Sequence, residues 1–140
     1  MKKILILCHY NTARSQMAEG YLKFFAGNLA LVHSAGVENK NLHPLAFEIM
    51  DEDNIDIKEQ HPKLATKLLK NKYDYLITFG QDIPSALLKQ VRAKKHLHLD
   101  VDDPTLSTLD MEESFRNVRE TIKKFILKFI GQELMDPVTT

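Results

Sequence analysis

The segment Cys8-His9-Tyr10-Asn11-Thr12-Ala13-Arg14-Ser15 places a thiol, a guanidinium and a hydroxyl in one short stretch. The continuous apolar run in front of it reads as a buried strand, and the periodic residues behind it read as a helix. A strand feeding a short loop into a helix aims several backbone N–H groups at one point, and the helix start adds its positive end. Such a loop is an anion cradle. Arg14 can close it with a bidentate fork on a tetrahedral oxyanion. The same field is expected to favour the thiolate of Cys8 and make it a nucleophile. Ser15 can donate a hydrogen bond to that thiolate. His9, Tyr10, Asn11, Thr12, Ala13, Arg14 and Ser15 are therefore the candidate anion-binding residues. The competing reading makes Cys8 a small buried hydrophobe and Arg14 a solvated residue at a helix start.

A second feature is Asp102-Asp103-Pro104. Proline restricts the residue before it, so Asp103 is presented from a defined turn. A carboxylic acid there can protonate a leaving oxygen and then act as a base toward water. Asp-Asp-Pro is also ordinary turn chemistry. His96 and His98 alternate with leucines, which puts both imidazoles on one strand face. A metal can use such a pair, but no third ligand accompanies it, so no metal site is expected.

These groups need elements to hold them. Strands are expected over Lys3–Leu7, Leu29–His33, Tyr75–Phe79 and His96–Val101. Helices are expected over Ser15–Phe25, from Pro44, over Pro62–Leu69, over Asp82–Gln90, and from Met111 to Ile130. Asp110 and Glu113 resemble a capping box at the start of the last helix. Strands that alternate with helices imply a parallel sheet with right-handed crossovers and helices on both faces. In such α/β folds the working site lies at the carboxyl ends of the strands. Both the Cys8 loop and the Asp103 loop fall there.

Composition narrows the partners. The chain has 140 residues, with 19 basic and 19 acidic side chains, so its formal charge is +0. That argues against nucleic acid, whose binders carry a clear basic excess. The length suits a single domain over residues 1–140. There is one cysteine, Cys8, so no internal disulfide can form. No apolar run reaches the roughly 18 residues of a membrane span or the core of a signal peptide. A cytoplasmic protein with no membrane partner is the expectation.

Cys8, Arg14 and Ser15 at the end of a first strand resemble the phosphate loop of low-molecular-weight protein tyrosine phosphatases. Over a longer stretch, Asn11 to Gly20 is similar to the loop and first helix of the arsenate reductases that share that fold. Ser34-Ala35-Gly36-Val37-Glu38, Ile55-Asp56-Ile57 and Asp102-Asp103-Pro104 extend the resemblance over nearly the whole chain. It implies a three-layer α/β/α fold with a four-stranded parallel sheet in the flavodoxin-like order 2-1-3-4. It also implies catalysis by Cys8, Arg14 and Asp103, with Asp102 as the alternative acid.

The departures shape the expected reaction. Reductases of this fold that couple to thioredoxin carry two further cysteines after the third strand, and here Gly80 stands where the second is expected. The resemblance therefore implies reduction of arsenate through a Cys8 adduct with an external thiol: glutathione, mycothiol or a glutaredoxin-like protein. No tightly bound cofactor is expected. The alternative is a phosphatase that cleaves phosphomonoesters through cysteinyl phosphate. Its family usually has tyrosines after the aspartate–proline pair, where this chain has Thr105 and Leu106. A third reading is a non-catalytic oxyanion-binding or regulatory module. Tyr10 stands where glycine is usual, and is expected to distort the cradle or to cover it. Asn11, Glu19 and Ser34 match a cation site of the reductases, with Lys63 in place of an aspartate. The Lys63 ammonium is thus expected to replace the ion and brace the loop.

Overall fold

The computed structural model describes residues 1–38, 40–106 and 110–135. Four parallel strands form one sheet in the order β2-β1-β3-β4. They are β1 (Lys2–Cys8), β2 (Ala30–Gly36), β3 (Lys72–Phe79) and β4 (Arg92–Leu99). The helices are α1 (Arg14–Ala26), α2 (Pro44–Asp51), α3 (Ser85–Leu88) and α4 (Met111–Phe129). The expected order of strands is thus observed.

β1 runs through the middle of the sheet, between β2 and β3. Its residues Ile4 to Leu7 have no exposed surface. A strand covered on both faces has no reason to alternate polar and apolar residues, hence the continuous apolar run. Successive side chains still point to opposite faces. Ile4, Ile6 and Cys8 join the larger core, with Met17, Tyr21 and Leu22 of α1 and Phe115, Ile122 and Ile126 of α4. Leu5 and Leu7 face the other way, toward Ala65 and Leu76 and the partly buried Leu87 and Leu88. Cys8 therefore emerges on the face that α1 covers.

Several expected boundaries move, each for a physical reason. No helix forms over Pro62–Leu69, only a tight turn at Ala65–Lys67. The Lys63 carbonyl accepts from Gly36 N at 2.8 Å and Leu64 bridges Gly36, so this backbone serves the end of β2 instead. The helix expected over Asp82–Gln90 shrinks to Ser85–Leu88, with Pro84 as its N-cap. The Asp82 carbonyl is instead bound by His9. β4 starts at Arg92 and ends at Leu99, so Val101 lies beyond it. β2 runs on to Gly36, which lies opposite Cys8 in register. The start of α4 is as expected: the Asp110 carboxylate accepts from Glu112 N at 2.9 Å and Glu113 N at 3.4 Å.

Candidate active site

The loop after β1 reaches α1 with no side-chain cap. Ala13 is the N-cap residue, makes no side-chain hydrogen bond, and no acid occupies the first turn. The first amides of a helix have no intrahelical partner. Among the described residues no side chain quenches them, which is the condition for binding an anion.

Cys8 is buried, 2% exposed, with its Sγ 2.8 Å from Ser15 Oγ. The direction of that hydrogen bond follows from the neighbours. Asn11 Nδ2 donates to Ser15 Oγ at 2.6 Å and to Ser34 Oγ at 2.9 Å. Ser15 thus accepts from Asn11 and keeps its own proton for the sulfur. Ser34 in turn donates to Glu19 Oε1 at 2.5 Å, and Lys23 pairs with Glu19 at 2.5 Å.

Asn11 is the hub of the loop. Its φ is +58°, in the left-handed region that asparagine tolerates better than other non-glycine residues. Its Oδ1 accepts from Gln16 Nε2 at 3.0 Å and from Lys63 N at 3.0 Å. Gln60 fixes Gln16 in turn, donating to its Oε1 at 2.9 Å. The loop is thus pinned to α1, to β2 and to the segment before β3. Gly36 permits the closest approach: a Cβ there would lie 2.6 Å from the Tyr10 carbonyl carbon and 2.8 Å from Asn11 N.

Arg14 is 3% exposed. Its Nη1 donates to the Val101 carbonyl at 3.1 Å and its Nη2 to Asp82 Oδ2 at 3.4 Å. These two bonds leave further guanidinium donors for a ligand. Gly80, at φ +84°, lies directly beneath: a Cβ there would collide with the Arg14 guanidinium and come within 2.8 Å of Asp82 Oδ1. The side-chain space of position 80, where the resemblance leads one to expect a second cysteine, is therefore taken by Arg14.

Asp103 lies in the turn after β4. Its Oδ1 accepts from Thr105 N at 2.9 Å and Thr105 Oγ1 at 2.7 Å. Val101, two residues earlier, holds Arg14, so this turn and the cysteine loop are joined through that guanidinium.

His9 does not turn its ring nitrogens into the loop. Nε2 lies 2.5 Å from Glu38 Oε2 and Nδ1 lies 2.7 Å from the Asp82 carbonyl. Burial opposes its charge, but these two hydrogen bonds outweigh burial and raise its pKa above the ordinary histidine value. The Tyr10 ring meets the His9 ring edge-on at 4.4 Å, and Lys40 Nζ sits 3.9 Å above it. The positive φ falls on Asn11 and not on Tyr10, so a side chain at position 10 costs no backbone strain.

The chain belongs to the low molecular weight phosphotyrosine protein phosphatase family. The sequence model of that family matches residues 3–138. An arsenate reductase of Halalkalibacterium halodurans is 36% identical over 131 residues, covering 91% of this chain and 94% of that protein. A glutaredoxin arsenate reductase of Synechocystis sp. is 30% identical over 94% of this chain and 98% of its own. A solved arsenate reductase in the phosphate-binding state superposes with a TM-score of 0.80 at 30% identity, covering 94% of this chain and 98% of that one. The three-layer fold expected from the resemblance is the fold of this family.

One expectation drawn from the family is corrected. The Lys63 ammonium does not brace the loop: it donates to the His61 carbonyl at 3.1 Å, while the Lys63 backbone N–H serves Asn11. The residues expected to match a cation site are engaged with one another instead. Asn11 presents its NH₂ there, and the Glu19 charge is already paired with Lys23. His96 and His98 do share a face, where both rings bond Thr78 Oγ1 at 2.8 and 2.6 Å. Among the described residues, no three His, Cys, Asp or Glu side chains cluster as metal ligands.

Sequence reasoning missed Glu38, Asp82 and the Val101 carbonyl as partners of the site. Their roles depend on which loops the sheet brings together, and no spacing along the chain reports that. The weight of Asn11 left a readable signal, an asparagine in a phosphate loop where a left-handed residue is needed.

Proposed function

We propose that this chain is an arsenate reductase whose nucleophile is Cys8 and whose second thiol comes from outside the chain. The observation that carries the reading is Cys8 Sγ under the Ser15 hydroxyl, beside an uncapped helix start with Arg14 as its first residue. The arsenate reductases among the relatives support it, one of them named for glutaredoxin.

The chemistry balances with one protein thiol. The Cys8 thiolate attacks arsenic, an S–As bond forms, and one oxygen leaves as water. Asp103 is the group we assign to protonate it. The loop amides and Arg14 hold the remaining oxygens. An external thiolate then attacks the Cys8 sulfur. The S–As electron pair departs with arsenic, which is reduced from the +5 to the +3 state, and a mixed disulfide remains on Cys8. A second external thiol clears it. Glutathione, mycothiol or a glutaredoxin-like protein are the candidate donors, and with Cys8 as the only cysteine no internal donor exists.

The second reading is hydrolysis of a phosphomonoester. The matching family is described as phosphotyrosine protein phosphatases, and this reaction needs no second thiol. Cys8 would take the phosphoryl group, Asp103 would protonate the leaving oxygen, and water would release phosphate. The site is read as cytoplasmic, where free thiols are kept reduced; no described helix is long and apolar enough to cross a membrane.

One experiment separates these readings. Arsenate reduction is measured with glutathione plus glutaredoxin, and aryl phosphate turnover without added thiol, each against Cys8→Ser. Thiol-dependent arsenite release that is lost in Cys8→Ser supports the reductase. Phosphatase turnover alone supports the second reading. Phosphate binding with neither activity would leave only an oxyanion-binding module.

A further inference from the structure

We propose that His9, as an imidazolium, is a positioning residue that clasps Glu38 and Asp82 across the mouth of the cysteine loop and ties oxyanion affinity to its own protonation. The inference rests on the oxyanion reading of the Cys8 loop and adds a proton-linked control to it.

The geometry fixes the proton count. One ring nitrogen faces a carboxylate oxygen at 2.5 Å and the other faces a backbone carbonyl at 2.7 Å. Both partners only accept, so both nitrogens must donate, and only the cation does that. A neutral ring would turn a lone pair toward one of the two acceptors and release it. The clasp therefore exists in the protonated state alone.

The clasp reaches Arg14 through Asp82. The Asp82 carbonyl is held by His9, while its carboxylate takes Nη2 of Arg14 at 3.4 Å. The same carboxylate lies 3.9 Å from Nδ1 of His9. On the other side, the His9 carbonyl accepts from Val37 N at 2.5 Å and Glu38 N at 3.0 Å, so Glu38 is anchored by backbone and side chain together. The charged groups alternate: Glu38 negative, His9 positive, Asp82 negative, Arg14 positive. The Tyr10 ring meets the imidazole edge-on, Lys40 lies over the Tyr10 ring, and Cys8 precedes His9 in the chain. Loss of the proton leaves one uncompensated negative charge at the mouth and loosens the segment that orients Arg14. Both effects weaken an anion. Affinity is thus full while His9 is charged and falls as pH rises through its pKa.

The test uses tungstate, a dianion on both sides of the histidine range. The His9 ring is followed by NMR through a pH titration, with and without saturating tungstate. By linkage, an anion that prefers the cation raises the His9 pKa by about one unit, which equals about a tenfold fall in affinity across the titration. Glu38 is 61% exposed, so Glu38→Gln leaves the fold in place. In that variant His9 titrates lower, and the break in tungstate affinity moves with it. In His9→Gln the break disappears while tungstate still binds. A His9 that is neutral below the ordinary histidine range overturns the proposal, as does a break that persists in His9→Gln. Tungstate that leaves the Cys8 and Arg14 signals untouched overturns the oxyanion reading beneath it.

Discussion

Replacing Gly80 with alanine tests how Arg14 is held. The perturbation is one methyl group. Position 80 has φ +84°, where a side chain costs about 1–2 kcal/mol of backbone strain. The new Cβ also occupies the space of the Arg14 guanidinium, which must leave the Val101 carbonyl and the Asp82 carboxylate. A hydrogen bond from a charged group is worth about 1.5–3 kcal/mol, and the bond to Asp82 is long enough to count for little. Stability should therefore fall by roughly 2.5–5 kcal/mol in urea unfolding. Function should suffer separately. An arginine moved off its seat loses its fork on the anion, so the Kd for tungstate should rise about 10–100-fold. Gly27→Ala is the control. Its backbone is also glycine-specific, at φ 52° and ψ −122°, but a Cβ there meets nothing within 4 Å. It should lose about 1–3 kcal/mol of stability and bind tungstate like the wild type. If Gly80→Ala binds tungstate with unchanged affinity, the guanidinium does not depend on that space to hold the anion. Gly80→Cys, which restores a thiol at this position, should suffer the same displacement and gain no activity with thioredoxin.

Three further outcomes follow from the same structure. Ser15→Ala removes the hydroxyl from the Cys8 sulfur and should slow alkylation of Cys8 by iodoacetamide at neutral pH about tenfold; an unchanged rate would show that Ser15 does not serve the thiolate. Tyr21 is fully buried and donates to Asp53 Oδ2 at 2.6 Å, while Lys123 shares that carboxylate at 3.0 Å. Because Asp53 is part-exposed and keeps Lys123, Tyr21→Phe should cost about 1 kcal/mol by urea titration, and a loss of several times that would point to an unrecognised packing role. Acid should destabilise the fold in a defined window. The Tyr21 hydrogen bond, helped by Lys123, lowers the Asp53 pKa, and hydrogen bonds from Arg116 and Arg119 bring Glu52 down to about 2. Folded pKa values below the unfolded ones mean that this stability is complete above the ordinary carboxylate range of about 4 and is lost as pH falls through the folded values. Glu52→Gln should make the acid limb of the stability curve shallower, and an unaltered limb would show that Glu52 and its arginines do not contribute to it.

The strand–helix alternation and the cysteine loop were legible because they rest on local rules. Ile4 to Leu7 reads as a strand buried on both faces because the run is short, apolar and followed by a loop, and a strand, loop and helix in sequence define where an anion can sit. What escaped depends on contacts between segments distant in sequence. The stretch from Pro62 has helix-compatible residues, yet its backbone is drawn out to meet Gly36 and Asn11. The residues after Gly80 also read as helical until the Asp82 carbonyl is seen to serve His9. Lys63 was placed correctly beside the loop and assigned the wrong atom, because a sequence does not reveal whether a residue contributes its side chain or its backbone. The likeness to the reductases covers Glu38, in the stretch from Ser34, but gives no role to it or to Asp82, because both act through His9 and Arg14.

The many ties of Asn11 have a consequence for motion. A loop fastened to α1, to β2 and to the segment before β3 cannot open without breaking contacts of all three. Opening of the loop should therefore cost far more than the fraying of an ordinary surface loop, even though its free amides face the anion site. Rearrangement during turnover then falls to the rim, where Asp82 and the Asp103 turn are held by fewer bonds. The proposed nucleophile thus sits in the rigid part of the molecule, and the groups proposed to meet the substrate sit in the yielding part.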